Sequence, residues 1–373
     1  MPEQKLLLAD NNYKELDDYL YEITAKRILL VCGKSIELLE IGKYFNSLES
    51  RTGIKIIKFF EFFPNPSYDS VVEGIKKFQE NKCDTIIAVG GGSSIDVAKC
   101  IKLYSNLNSS IIYLEQSIAP NNVPLIAIPT TAGTGSEATK FAVIYYNGEK
   151  QSVSHFSCIP QAVLLDSSTL ETLPDYQRKV TMLDAICHAL ESFWSVNSTI
   201  ESKEYSAEAL YMIWENKESY LANEKIGNRN MLNASYLAGK AINLAQTTAG
   251  HAMSYKLTNL YKVAHGHAVS LCISVLWPYM VNHVDNCSDY RGSIYLYDVF
   301  KKIAEIMGCE EPMEAVQLYQ NLLCNLNLKI PDVKNNRDFQ ILKTSVNPIR
   351  LKNNPIRLDI ETIDNLYHQL LKK

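Results

Sequence analysis

The first half of the chain alternates short apolar runs with segments of helical periodicity. Apolar runs of strand length occur at Arg27–Cys32, Ile54–Phe59, Thr85–Val89 and Val123–Ile128, and Ser70–Asn81 has the pattern of a helix. Apolar runs without polar alternation are typical of strands that are buried on both faces of a parallel sheet. Because helical segments separate the strands, the pattern predicts a doubly wound α/β domain.

The pattern changes near Tyr176, after which helical periodicity dominates. We expect the join near Asp166–Pro174, between an α/β domain of residues 1–170 and an all-helical domain of residues 171–373. A length of 373 residues also favours two domains. The helices predicted for the second domain are Val180–Trp194, Ser202–Glu218, Asn230–Ala245, Ala268–Val281, Leu296–Met307 and Ile360–Leu371.

Composition and charge narrow the function. The chain is 46% hydrophobic and 21% charged with a formal net charge of -4, so neither nucleic acid nor an anionic membrane is the expected partner. No apolar run reaches about 18 residues, so no membrane span is expected. The nine cysteines form no CxxC pair, which favours a reducing compartment. We therefore expect a cytoplasmic protein that acts on a small molecule, and a homo-oligomer is compatible with this composition.

Two pairs of side chains could bind a metal ion. Asp184 and His188 are four residues apart in a helical segment, which places them on one helix face. A straight helix would separate His251 from His265 by about 21 Å. They can share an ion only if the chain bends between them. The stretch Lys256–Val263 lacks helical periodicity and could form that bend. One carboxylate and three imidazoles suit Fe(II), Zn or a neighbouring ion. The alternative is that these histidines are packed or on the surface.

Two small-residue loops follow the third and fourth predicted strands. Glycines before a helix let a phosphate approach the backbone N–H groups of the helix N-terminus. Open parallel sheets bind ligands at the carboxyl ends of their strands, where both loops are expected. The alternatives are a structural turn for the first loop and an ordinary polar loop for the second. The residues concerned are Gly90, Gly91, Gly92, Ser93 and Asp96 in the first segment, and Thr130, Thr131 and Thr134 in the second.

Taken together, these segments resemble the iron-containing (group III) alcohol dehydrogenases over almost the whole chain. The markers are Pro64-Asn65-Pro66, Gly90–Lys99, Pro129–Glu137, Asp184 with His188, and His251 with His265-Gly266. The resemblance implies a dehydroquinate synthase-like fold, with a dinucleotide-binding α/β domain and a helical domain that binds metal and substrate. It implies that Asp184, His188, His251 and His265 bind Fe(II), or Zn or another divalent ion, and that His267 belongs to the catalytic site. Asn65, Asp96 and the glycine and threonine loops would bind the nicotinamide cofactor.

Three positions depart from the pattern of the resembled family. Gly33, followed by Lys34 and Ser35, replaces the acidic residue that many members carry after the first strand. An absent carboxylate and a nearby cation favour NADPH over NADH. Tyr255 stands where many members have another histidine, which removes a histidine proton relay at that point. His267 stands where an apolar residue is common.

The strings Thr247–Thr258, His265–Val269 and Ser345–Pro355 are similar to one branch, the phosphonoacetaldehyde reductases. That similarity implies reduction of phosphonoacetaldehyde to 2-hydroxyethylphosphonate by hydride transfer, with the metal as Lewis acid. The nearest alternative is a general short-chain alcohol or diol dehydrogenase. A metal-dependent hydrolase is an alternative of another class, but it would not need two nucleotide loops. The candidates for binding a phosphonate are Lys140, Lys150, His155, Tyr255, Lys256 and His267.

Overall fold

A six-stranded, all-parallel sheet organises the N-terminal half of the chain. The structure, a computed structural model, describes residues 4–333, 335, 337–346 and 348–371. The spatial order of the strands is β1-β8-β5-β4-β2-β3. The strands along the chain are β1 (Lys5–Leu8), β2 (Arg27–Cys32), β3 (Lys55–Phe59), β4 (Thr85–Gly90), β5 (Leu125–Pro129), β6 (Phe141–Tyr146), β7 (Glu149–Ser154) and β8 (Ala162–Leu165).

Helices cover both faces of this sheet, which confirms the doubly wound α/β prediction. Leu29 and Val31 of β2 lie in one hydrophobic cluster, and Ile28 and Leu30 lie in the other. The first cluster includes residues of α3 (Tyr68–Glu80) and α4 (Gly92–Tyr104), and the second includes residues of α1 (Asp10–Glu22) and α2 (Glu40–Thr52). When both faces of a strand are covered by apolar layers, all of its residues are hydrophobic in succession, as they are in most of β2.

Strands β6 and β7 form a separate antiparallel hairpin that the strand–helix pattern did not predict. Its two-residue turn is Asn147-Gly148, and both residues have positive φ values of 51° and 77°. Asn-Gly is the preferred sequence for such a turn because a type I′ turn needs positive φ at both positions. The turn sequence was therefore a usable signal for this hairpin.

The C-terminal half is helical, as predicted. α5 (Asp175–Trp194) packs against α6 (Ile200–Leu221) and α9 (His265–Asn282), and α9 packs against α8 (Ala249–Tyr261). The predicted segment Ala268–Val281 lies within α9, which begins three residues earlier, at His265. The helices are α5 (Asp175–Trp194), α6 (Ile200–Leu221), α7 (Lys225–Ala245), α8 (Ala249–Tyr261), α9 (His265–Asn282), α10 (Ser293–Ile306), α11 (Pro312–Asn325), α12 (Arg337–Thr344), α13 (Pro348–Leu351) and α14 (Ile360–Leu370).

The contacts divide the chain into two compact units. The first unit consists of Met1–Pro174 with Asn223–Tyr236, and the second consists of Asp175–Ala222 with Leu237–Lys373. The segment Asn223–Tyr236 therefore belongs to the first unit, although it follows the boundary at residue 170 in sequence. In the described part of the chain, no helix combines the length and the apolar character that a membrane crossing requires.

Candidate functional site

Asp184, His188 and His251 converge in the second unit, where all three side chains are buried. Asp184 and His188 lie one turn apart on α5, and His251 lies in the first turn of α8. The Asp184 Oδ1 atom is 4.0 Å from His188 Nε2 and 3.7 Å from His251 Nε2. One ligand atom from each residue lies within 4.8 Å of the other two. The i,i+4 spacing on α5 thus places its two side chains as the sequence predicted.

His265 flanks this group because the chain turns sharply between α8 and α9. Lys262 has the left-handed conformation with φ 57°, and α9 begins only three residues later. The His265 ring is 5.3 Å from the His251 ring, centroid to centroid. The bend is shorter and later than predicted, because α8 continues through most of Lys256–Val263 and ends at Tyr261.

Gly266 permits the close approach of α9 to α5. A Cβ atom at this position would lie 2.1 Å from the Val180 carbonyl oxygen and 2.8 Å from Asp184 Cβ. Real side chains do not tolerate such distances, so any other residue would push the two helices apart. The Gly266 position therefore helps to hold His265 beside the α5 carboxylate.

The buried polar atoms of this group fit a metal ion. Asp184 Oδ1 and His251 Nε2 are buried, and neither has a hydrogen-bond partner among the described residues. Burial of polar atoms without a partner is unfavourable. A divalent cation between these atoms would satisfy both. A carboxylate with imidazole nitrogens is a donor set that Fe(II) and Zn accept.

The charges of the histidines keep the carboxylate of this group ionised. Burial alone would raise the pKa of Asp184, but the positive charges of His188, His265 and His251 outweigh burial and lower it. Burial alone would lower the pKa of His251, but the Glu191 and Asp184 carboxylates raise it to about 9. A metal ion at Nε2 would therefore compete with a proton, so metal binding should release protons.

Glu191 belongs to this buried group, and the sequence interpretation missed it. Its side chain is 0% exposed, and its Oε2 atom hydrogen-bonds with Nδ1 of His251. Its Oε1 atom accepts hydrogen bonds from the Thr248 N–H at 3.0 Å and from the Thr248 hydroxyl at 2.7 Å. Glu191 thereby orients the His251 ring so that Nε2 points at Asp184. Its spacing of seven residues from Asp184, two helical turns, could have identified it.

The His267 side chain hydrogen-bonds with a tyrosine and not with the residues of the Asp184 group. Its Nδ1 atom lies 3.1 Å from the Tyr176 hydroxyl, which also accepts a hydrogen bond from the Ala264 N–H. Its Nε2 atom is buried and has no hydrogen-bond partner in the described part of the chain. Burial lowers the pKa of His267, which favours the neutral ring. The structure therefore does not bring His267 into the group around Asp184.

In the first unit, the two predicted loops lie against each other at the carboxyl ends of β4 and β5. Gly90 pairs with Pro129 in the sheet, and the Thr130 N–H donates to the Gly90 carbonyl at 3.1 Å. A Cβ atom on Gly91 would meet the Thr131 hydroxyl at 3.1 Å, and one on Gly92 would meet Thr134 Cγ2 at 3.1 Å. Ser93 follows in the first turn of α4. A helix N-terminus and a hydroxyl-rich loop are thus adjacent, as a bound pyrophosphate requires.

The other predicted cofactor residues lie after β2, after β3 and in α4 of the first unit. Gly33 caps a short 3-10 turn after β2, and the exposed Lys34 and Ser35 begin that turn. Asn65, also exposed, has a positive φ of 59° in the segment after β3. Asp96 uses its carboxylate within the protein, where it accepts from the Ser136 hydroxyl at 2.6 Å and from the Val143 N–H at 3.0 Å.

The predicted phosphonate-binding residues are divided between the two units. Lys140, Lys150 and His155 belong to the β6–β7 hairpin and its flanks. The Lys140 ammonium lies over the rings of Phe141 and Phe156, and His155 Nδ1 accepts from the Ser157 N–H. Tyr255 and Lys256 lie on α8, and the Tyr255 ring stacks on the His265 ring at 5.8 Å. Asn347, in the C-terminal string, lies outside the described residues.

Known proteins with similar sequences carry related names. “Probable alcohol dehydrogenase EutG” of Escherichia coli (strain K12) is 38% identical over 152 residues, which are 40% of this chain and 38% of that protein. The “NAD-dependent methanol dehydrogenase” of Bacillus methanolicus is 30% identical over 236 residues, 62% of each protein. The aligned part of the chain therefore spans less than two thirds of the length of these relatives.

Two solved structures share the fold along their full length. One is a sulfoacetaldehyde reductase from Bifidobacterium kashiwanohense in complex with NAD+, with a TM-score of 0.88, 22% identity, and coverage of 100% of this chain and 98% of that one. The other is an iron-containing alcohol dehydrogenase from Thermotoga maritima, with a TM-score of 0.85, 24% identity, and coverage of 100% and 99%.

The family assignment rests on two sequence profiles that match the chain in succession. The profile described as “Iron-containing alcohol dehydrogenase” matches residues 3–167. The profile described as “Fe-containing alcohol dehydrogenase family, C-terminal” matches residues 179–371. Both the loops after β4 and β5 and the Asp184 group lie within the matched ranges. The chain is therefore a member of the iron-containing alcohol dehydrogenase family.

Proposed function

We propose that this protein is a metal-dependent, NAD(P)H-linked aldehyde reductase that transfers hydride to a small aldehyde. The observation that carries the proposal is the buried group of Asp184, His188 and His251, in which two polar atoms lack a hydrogen-bond partner among the described residues. The paired loops after β4 and β5 support a nucleotide, and family membership supports both features together. A metal-dependent hydrolase would leave those loops unexplained.

The residues of the chain take distinct roles in this proposal. Asp184, His188, His251 and His265 hold a divalent ion, for which we propose Fe(II), and Glu191 fixes the orientation of His251. The ion, when bound, supplies Lewis acidity to a carbonyl oxygen, and the nicotinamide supplies the hydride. Gly90–Ser93 binds the pyrophosphate through backbone N–H groups at the start of α4. Thr130, Thr131 and Thr134 belong to the neighbouring loop after β5.

We further propose that NADPH is the preferred cofactor. Gly33 offers no carboxylate to the ribose hydroxyls at the end of β2, and Lys34 and Ser35 are exposed beside it. A 2′-phosphate would therefore meet a cation and a hydroxyl rather than a like charge. The Bifidobacterium kashiwanohense reductase was solved with NAD+ bound, which describes the cofactor of that protein. For this chain, the residues after β2 are the basis for proposing NADPH instead.

The proposed substrate is phosphonoacetaldehyde. The strings Thr247–Thr258 and His265–Val269 support it, and the fold is shared with a reductase of another two-carbon aldehyde that carries an oxyanion. The second candidate is a general short-chain alcohol dehydrogenase, which the names of the sequence relatives favour. All nine cysteines are free thiols, which supports the cytoplasm as the compartment.

A panel of aldehydes tests the proposal. Protein reconstituted with Fe(II) is supplied with NADPH and with phosphonoacetaldehyde, propanal or 3-hydroxypropanal, and NADPH oxidation is followed by absorbance. We expect phosphonoacetaldehyde to exceed propanal by at least about a hundredfold in kcat/KM, because two charge-assisted hydrogen bonds contribute roughly 1.5–3 kcal/mol each. Equal efficiency with propanal would favour the general alcohol dehydrogenase, and no NADPH oxidation with any aldehyde would reject the reductase.

A further inference from the structure

A cavity of about 230 Å³ lies in the first unit, beside the amino ends of β5 and β8. Gln161, the residue before β8, joins the two strand starts: its N–H donates to the Leu125 carbonyl, and its Oε1 atom accepts from the Leu125 N–H at 2.7 Å. The loops proposed for the cofactor follow the opposite, carboxyl ends of the parallel strands, so the cavity is separate from them. It is lined by Lys102, Asn121 and the segment Phe156–Gln161 without Cys158.

Lys102 contributes a buried positive charge to this cavity. It lies in the last turn of α4 and is 1% exposed. Within the described part of the chain, its ammonium donates no hydrogen bond and forms no ion pair. The equally buried Lys99, three residues earlier, differs because it donates to the Ser136 and Thr139 carbonyls at 2.6 and 2.8 Å. Burial of a charge without a partner is unfavourable, so Lys102 lacks the compensation that Lys99 has.

The surroundings of Lys102 leave its charge unbalanced among the described residues. The Cys158 thiol lies close enough to interact electrostatically with the ammonium, but burial raises the pKa of this thiol to about 11, so it is neutral at physiological pH. Burial lowers the pKa of Lys102 to about 8, so most of the amine is still charged at neutral pH. None of the lining residues carries a carboxylate. An anion in the cavity would therefore meet an uncompensated cation.

The other walls offer hydrogen-bond donors and an apolar surface. The Ser157 hydroxyl and the Gln161 Nε2 atom make no hydrogen bond with a described residue, so both can donate to a ligand. Ile159 and Pro160 are buried, and with the Phe156 ring they form an apolar wall. An apolar cavity of about 150 Å³ is large enough for benzene. The larger volume here is thus sufficient for one charged group with a short carbon chain.

We propose that this cavity binds a short aliphatic carboxylate, with the carboxylate at the Lys102 ammonium and the carbon chain against Phe156 and Ile159. An ammonium forms charge-assisted hydrogen bonds with carboxylate oxygens. A single cation favours a monoanion, because the second charge of a phosphate would have no partner. No lining residue is a proposed metal ligand or belongs to the loops after β4 and β5, so this inference does not depend on the proposed reductase function.

Calorimetric titration of the full-length protein at neutral pH, in a buffer free of carboxylates and phosphate, tests the site. The probes are butyrate, its neutral counterpart butyramide, and inorganic phosphate. We expect butyrate to bind more tightly than either by about tenfold or more, because only butyrate combines one negative charge with an apolar chain. Absence of butyrate binding would overturn the proposal. Tighter binding of phosphate would overturn the assignment to carboxylates.

Three variants determine whether butyrate binds in this cavity. Lys102→Met replaces the ammonium with an apolar side chain that tolerates burial, and Gln161→Glu keeps the acceptor for the Leu125 N–H but adds a negative charge beside the cavity. Each should weaken butyrate binding by about tenfold or more, with circular dichroism as the check of the fold. Lys76→Met removes an exposed ammonium from α3 and should bind butyrate as wild type does. Equal butyrate affinity in wild type, Lys102→Met and Gln161→Glu would overturn the inference.

Discussion

Glu191 and His251 form a buried carboxylate–imidazole pair in which the Glu191 Oε2 atom hydrogen-bonds with His251 Nδ1. The second oxygen of Glu191 accepts from the backbone and the hydroxyl of Thr248, so the carboxylate is held at both ends. The pair leaves Nε2 of His251 directed at the Asp184 carboxylate. This relationship links α5 to the start of α8 and orients one of the proposed metal ligands.

The first prediction concerns this pair. Glu191→Gln should weaken metal binding about tenfold to a hundredfold, because an amide cannot carry the charge that fixes the imidazole orientation and raises its basicity. Fe(II) or Zn affinity measured by competition with a chelator is the readout. Glu204→Gln, on the exposed face of α6, is the matched control and should bind metal as wild type does. Unchanged affinity in Glu191→Gln would show that Glu191 does not support the metal.

The second prediction concerns the metal ligands themselves. His251→Ala removes one proposed ligand, so we expect at least a hundredfold loss of metal affinity and no detectable aldehyde reduction. Bound metal per protomer is measured by elemental analysis after reconstitution. His283→Ala replaces an exposed histidine at the end of α9 and should change neither quantity. Full activity with normal metal content in His251→Ala would show that His251 does not bind a metal ion that the reaction needs.

The third prediction concerns the choice of cofactor. A Cβ atom at Gly33 has its nearest neighbour, Ser35 Oγ, at 3.6 Å, and Gly33 has an ordinary φ of -80°, so an aspartate fits there. Gly33→Asp should lower the ratio of kcat/KM for NADPH to that for NADH by about tenfold or more, through repulsion of the 2′-phosphate. Ser50→Asp adds the same charge at an exposed position of α2 and serves as control. A wild-type preference for NADH would show that the discriminating position lies elsewhere.

The fourth prediction concerns the pH dependence of stability. Glu137 is 1% exposed, and burial raises its pKa from 4.5 to about 7. The folded protein therefore holds this proton between pH 4.5 and 7 while the unfolded chain releases it, so stability falls as pH rises through that window. Relative to Glu137→Gln, wild type should lose about 3 kcal/mol of unfolding free energy between these pH values.

Urea unfolding at several pH values between 4 and 8 measures this effect. The difference between wild type and Glu137→Gln isolates the one carboxyl group from the other titrating residues. Glu149→Gln, which removes an exposed carboxylate from β7, should follow the wild-type curve. A constant difference between wild type and Glu137→Gln across the range would contradict the raised pKa.

Local sequence determined the features that depend on periodicity and backbone hydrogen bonding. The apolar runs of β2 and β4 predicted buried parallel strands, because both faces of such strands meet helices. The i,i+4 spacing of Asp184 and His188 determined their shared face on α5, since helix geometry places residues one turn apart together. The same geometry would have indicated Glu191, two turns beyond Asp184. The Asn147-Gly148 turn likewise contained the signal for the β6–β7 hairpin.

Tertiary structure alone decided which distant residues meet. The approach of His251 and His265 to Asp184 depends on the turn at Lys262 and on the close contact of Gly266 with Val180. The non-periodic stretch Lys256–Val263 indicated that the chain could bend there, but no local pattern indicated which helix α9 would then approach. The hydrogen bond from Asn353 Nδ2 to the Thr247 carbonyl joins residues that are remote in sequence, and it exists only after the start of α8 and the C-terminal segment pack together. Such contacts arise from the packing of whole elements, because a residue's own neighbours in sequence do not specify which surface will cover it.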